Sequence, residues 1–186
     1  MNDLNRYLSE AIRVRRTIQV YSELFDFRES IDALSEKSIK FTHILKRSMH
    51  DEILISLARM FDSDGYKTNG EKIQYLSQRN LVLSNEEVLS EPLNKLREKT
   101  SELWKEVSLK NYRDNRLAHN GKDVMLACAE DPMHNVTFEA AAALVDTSIQ
   151  LILGIMCAKG ETSLASNLNE KYVGVGREFI EALQKI

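Results

Sequence analysis

Glycine and proline are scarce in this chain, at seven and two among 186 residues. Little turn-forming punctuation is therefore available, and an all-β or loop-rich fold is excluded. Cysteine is scarcer than a disulfide framework requires: Cys128 and Cys157 stand alone, in no metal-binding or redox spacing, so a reducing, cytoplasmic setting is expected. No apolar run is expected to span a membrane, because even AAAALVDTSIQLILGIMCA is interrupted by Asp146, Thr147, Ser148 and Gln150. The start, MNDLNRYLSEAIRVRR, lacks the apolar core of a signal peptide. Basic charge is also missing in bulk. A net charge of −3 argues against a protein that coats nucleic acid with its whole surface, and confines any RNA contact to local clusters such as Arg13, Arg15 and Arg16, or Arg113 and Arg116. Neither a phosphate-binding glycine loop nor a Gly-x-Ser-x-Gly elbow is present.

What remains is rich in Leu, Glu, Lys, Ser and Ala, which favour helix. The length predicts one domain, residues 1–186, able to fold on its own core. Apolar residues at three- and four-residue steps (Leu4, Leu8, Ala11, Ile18, Tyr21, Phe25) predict a first helix from about residue 3 into the mid-twenties. A second is expected from Ser35 or Lys37 to near Asp62, with Ile39, Phe41, Leu45, Met49, Ile53, Leu57 and Met60 as its core stripe. SDGYKTNG gathers turn formers, and EKIQYLSQ reads as a short helix. Ser84 with Glu87 fits a capping box, while Ser90 ahead of Pro92 offers a second start for the next helix. Leu93, Leu96, Leu103 and Val107, with Trp104 beside them, carry that helix toward Tyr112 and Leu117, and Gly121 closes it. DVMLACAEDPMHN reads as irregular. Thr137 then caps a helix to about Ala158, stopped by Gly160, and FIEALQKI ends the chain as a short helix. Four long helices with additional short ones make an all-α antiparallel four-helix bundle the economical packing.

The chemistry concentrates in KNYRDNRLAHNG, residues 110 to 121. An imidazole, His119, can take or give a proton near neutrality. Arg113 stays charged and presents a planar fork suited to phosphate oxygens, so it can hold a phosphodiester and offset charge developing in a transition state. Asp114 is placed to orient the fork or the ring. Their spacing raises a geometric question. On an ideal helix the six steps from Arg113 to His119 leave them roughly 120° apart, whereas Arg116 and His119 are closer in angle. Three resolutions stand open: the helix bends or ends before His119, the long Arg113 side chain reaches round, or Arg116 is the working cation.

Arg113 followed by polar Asp114, a short spacer and His119 resembles the motif of the HEPN superfamily, and within it the abortive-infection branch of bacterial phage-defence proteins. SLARMFD, residues 56 to 62, is similar to the end of an earlier helix in that branch, and LNKLREKTSELWKEV to the helix leading into the motif. The likeness runs from about residue 36 to residue 158.

The resemblance implies a HEPN-like bundle and a metal-independent endoribonuclease, a toxin or effector in phage defence, with no cofactor and no metal. It assigns acid/base work to His119, phosphate and transition-state stabilisation to Arg113, and an orienting role to Asp114. Arg116, Asn115 and Asn120 are weaker candidates for RNA binding, and Arg59 and Asp62 for a supporting shell, an i, i+3 ion pair accounting for the last two equally well. One imidazole cannot easily serve as base and acid in a single step. A two-fold homodimer facing two motifs across a cleft, as in the family, supplies both. RNA is the expected substrate, an antitoxin or inhibitor protein a further partner, and a membrane is not expected. Two other readings are a HEPN-fold module that binds RNA or a nucleotide without cutting, and a helical bundle that binds another protein.

Other patterns are weaker. Asp62, Asp64, Gly65 and Glu71 match part of a calcium loop, but Met60 stands where its first carboxylate belongs, and a surface loop is the expectation. His43 and His50 lack a third ligand, and Cys128 lacks an activating neighbour at His134.

Overall fold

A computed structural model of the chain describes residues 2–61, 65–68, 70–107, 109, 136–161 and 173–185. Its elements are α1 (Asp3–Phe25), α2 (Arg28–Phe61), β1 (Gly65–Thr68), β2 (Glu71–Gln74), α3 (Gln78–Leu83), a 3-10 turn at Glu86–Val88, α4 (Glu91–Val107), α5 (Phe138–Ala158) and α6 (Val175–Gln184). The fold is all-α, with a single small hairpin among the described residues.

Helix α1 is the hub. Asn2 caps it by accepting from the Asn5 N–H at 2.9 Å. Its stripe of Tyr7, Leu8, Ala11, Val14 and Ile18 is buried against both α2 and α5. Tyr21 near its end stacks on Phe138 at the start of α5, with ring centroids 4.1 Å apart, while Asn2 at its start donates to Glu161 just past the end of α5, so these two helices run antiparallel. Arg13 reaches Glu52 while Phe25 lies beneath Lys46, so α1 and α2 are antiparallel as well. Helix α4 packs on the other side of α5. There Gly154 lets the two helices close in: a methyl at that position would collide with the Leu93 side chain.

Thr137 caps α5 through a 3.1 Å bond from the Ala140 N–H. The far end closes with Gly160 at φ +66°, the Gly160 N–H donating to the Cys157 carbonyl and the Glu161 N–H to that of Met156. Both ends lie where the sequence places them. The expectation that no run reaches spanning length is corrected by α5. At 21 residues and a mean hydropathy of 1.8 over its most apolar window, it meets the length and apolarity of a membrane span. Its apolar side is taken up by the bundle: Leu144, Val145, Leu151, Ile152 and Ile155 are wholly buried. Its polar residues have partners too, Asp146 pairing with Arg15 at 2.9 Å and Ser148 sharing a 2.9 Å hydrogen bond with Tyr7.

Three expectations are revised. Helix α2 begins at Arg28 rather than Ser35 or Lys37, because a short helix precedes a break at Ser38. Ser38 is extended (φ −166°, ψ 102°), and its hydroxyl accepts from the Phe41 N–H at 3.3 Å, so it caps the long second half. Ile39 and Phe41, expected in the core stripe, are exposed together with Ile44. The reason is geometric, since α1 ends at Phe25, level with Lys46, and α2 overhangs it. Finally, residues 71–74 form a strand, not a helix. Thr68 pairs with Glu71 across the two-residue Asn-Gly connection, where Gly70 has φ +84°, a conformation glycine adopts without strain. Gly65 and Glu71, two members of the partial calcium pattern, thus sit on opposite strands. Helix α3 follows, capped by Ser77. The next helix starts after Ser90, not Ser84, which ends α3 instead.

Candidate functional site

Helix α4 delivers the chain to the Arg-His motif. Leu93 is buried and Leu96, Leu103 and Trp104 are partly buried along its core face, and Val107 and Leu109 are at most 2% exposed, so the backbone is anchored just before the motif begins. Arg113, Asp114, Asn115, Arg116, His119 and Asn120 lie outside the described residues, as do Asp62, Cys128 and His134. Arg59 is described. It is exposed on the last turn of α2, and its charge acts on Glu10 of α1. The Glu10 carboxyl is held below its ordinary value, first by the Arg13 hydrogen bond and further by the charges of Arg13 and Arg59, against the opposing effect of burial.

The basic cluster midway along α1 joins helices. Arg13 donates to Glu10 at 2.7 Å, to Glu52 at 2.6 Å and to the Ser56 hydroxyl at 2.9 Å, bridging α1 to α2. The Arg15 Nε–H is shared between both oxygens of Asp146 in α5, at 2.9 and 3.0 Å. These guanidiniums therefore hold the bundle together. His50 contacts Asp51 at 3.1 Å and lies edge-on to Phe138, His43 is exposed, and among the described residues no group of three His, Cys, Asp or Glu side chains is placed to hold a metal ion.

A groove that no sequence motif marks opens where α3 and α4 meet the end of α2. Its volume is about 540 Å³. Helix α4 lines it with Arg97, Thr100, Ser101 and Trp104, and α3 with Gln78, Arg79, Val82 and Leu83. Phe61 closes it, its ring 5.5 Å from that of Trp104 in a stacked arrangement. Gln78 is buried at 6% exposure, and its amide oxygen finds no hydrogen-bond partner among the described residues. Residues 97, 100, 101 and 104 follow i, i+3, i+4, i+7, one face of a helix, and that face mixes a cation, two hydroxyls and an indole. This was the available signal, obscured because Trp104 also borders the apolar stripe.

The helix order and packing define an all-α bundle. The chain belongs to the AbiU2 family of HEPN abortive-infection proteins, whose profile matches residues 2–156 and so includes the whole Arg113 to His119 motif. Neither the curated proteins nor the solved structures contain a significant match.

Proposed function

We propose that the protein is a metal-independent endoribonuclease acting as a homodimer in abortive infection. One observation carries the reading: a HEPN abortive-infection family match that spans an Arg-polar-spacer-His motif. Membership of that family already supports a nuclease-like or effector role. In the proposed reaction His119 of one protomer takes the proton from a ribose 2′-hydroxyl, whose oxygen attacks the adjacent phosphorus. Arg113 offsets the charge gathering on the phosphoryl oxygens. The partner protomer's second imidazole protonates the departing 5′-oxygen, leaving a 2′,3′-cyclic phosphate. Asp114 orients one of these groups, and Arg116, Asn115 and Asn120 contact the strand.

The test is incubation of the full chain with total RNA in excess chelator, beside Arg113→Ala and His119→Ala. Cyclic-phosphate ends made by the wild type alone are expected. Equal cleavage by all three proteins would overturn the assignment, and so would loss of wild-type cleavage in chelator.

A further inference from the structure

We infer that the groove between α3 and α4 is a nucleotide subsite, receiving the base and phosphate of one nucleotide. This rests on the proposal that the protein works on RNA, and adds a place where a unit of the strand is held. The volume of about 540 Å³ lies within the range of small-ligand pockets. Its contents match the two halves of a nucleotide. The Trp104 indole, backed by Phe61, offers a flat apolar surface on which any base can stack. Arg97 supplies guanidinium charge for a phosphate and makes no ion pair with a described residue, and Glu98 is the single carboxylate among the described lining residues.

Gln78 adds a third, independent element. A buried amide oxygen without a partner costs stability, and a ligand N–H would relieve that cost. The terminal torsion of glutamine is broad, so the amide can swing toward a base edge and present an acceptor and a donor together. Thr100 already donates to the Leu96 carbonyl at 2.8 Å, which leaves Ser101 as the available hydroxyl of that face.

The chain has one tryptophan, so its fluorescence reports on this groove directly. The full chain is titrated with adenosine 5′-monophosphate, with inorganic phosphate, and with a short single-stranded oligoribonucleotide, the last in an Arg113→Ala/His119→Ala background that leaves it uncut. Saturable quenching by the mononucleotide or the oligonucleotide but not by phosphate is expected, weakened roughly tenfold or more in Arg97→Gln, the scale of a lost phosphate or stacking contact. Trp104→Leu, followed by calorimetry, is expected to lose a similar factor, while Arg97→Gln guards against a folding defect in that variant. Binding by the mononucleotide alone identifies a free nucleotide as the ligand, and tighter binding by the oligonucleotide identifies the RNA strand.

No quenching by either nucleic-acid probe, or unchanged affinity in Arg97→Gln, overturns the inference. The two proposals fail separately. Quenching without cleavage by the wild type sinks the nuclease and spares the groove, whereas cleavage by Arg97→Gln at wild-type KM without any tryptophan response does the reverse.

Discussion

The phenol of Tyr7 and the hydroxyl of Ser148 meet 2.9 Å apart at the buried junction of α1 and α5. Burial pushes the phenol's pKa well above its ordinary value, with the Ser148 hydrogen bond partly opposing it, so the group stays neutral. The two halves of this pair are unequal. Ser148 sits within a helix and can turn to the carbonyl four residues back, but Tyr7 has no such alternative. Ser148→Ala is therefore expected to cost more than Tyr7→Phe, about 1–3 kcal/mol against about 1 kcal/mol or less. In a urea-unfolding double-mutant cycle the double variant should lose less than the sum of the singles. Equal single-variant costs would refute the asymmetry.

Acid should release α6. The Glu23 carboxylate, at the far end of α1, accepts the Gly174 and Gly176 N–H groups at 2.7 Å each and the Gln19 amide at 2.8 Å. Burial raises its pKa, but these bonds, with one from the Arg177 N–H, outweigh that and hold it below the usual glutamate range. A depressed carboxyl contributes stability that is complete above the unfolded value of about 4.3 and is lost as pH falls through the lower folded value. Glu23→Gln should cost about 1–3 kcal/mol at neutral pH and flatten the acid limb in that window. Unfolding followed by circular dichroism across pH, with hydrogen exchange along residues 175–184, checks both. An unaltered acid limb in Glu23→Gln would assign the acid sensitivity to other groups.

The contact of Gly154 with Leu93 predicts a change of sign. Alanine in mid-helix is worth about 1 kcal/mol over glycine, but here its methyl would strike Leu93. Gly154→Ala should be destabilising in the wild type, by about 1–2 kcal/mol, and stabilising in a Leu93→Ala background, where the space is open. Thermal or urea unfolding of the four proteins decides it, and stabilisation by Gly154→Ala in both backgrounds would show that the Leu93 side chain moves aside freely.

If two protomers share the cleavage site, specific activity depends on protein concentration. Cleavage rate should rise with the square of concentration below the dimer's dissociation constant and linearly above it. Assays across a dilution series, paired with sedimentation of the same samples, test this. Constant specific activity of a sedimenting monomer would exclude a composite site.

Much of this architecture was legible from residue pattern. The stripe of α1, the Thr137 cap of α5 and the Gly160 stop lie where periodicity and capping chemistry place them, because each is a local rule applied to a long element. Shorter elements were harder to read. The hairpin at 65–74 carries an Asn-Gly connection that outweighs the weak helical pattern of EKIQYLSQ, and the break at Ser38 hides an earlier helix. Exposure of Ile39 and Phe41 follows from where α1 ends, which no property of α2 alone encodes. As for chemistry, the motif from Arg113 to His119 was legible as a pattern but lies outside the described residues. The groove's lining comes from three separate helices, a convergence that only packing reveals.

The place of α1 as hub bears on how the chain is made. Its apolar face needs α5, whose last residue emerges from the ribosome more than a hundred positions later, on the order of ten seconds at ordinary elongation rates. Throughout that interval Tyr7, Leu8, Val14 and Ile18 lack the cover that α5 gives them in the finished bundle. Synthesis, rather than the finished bundle, is then the stage at which this protein is most exposed to chaperones, proteases and self-association.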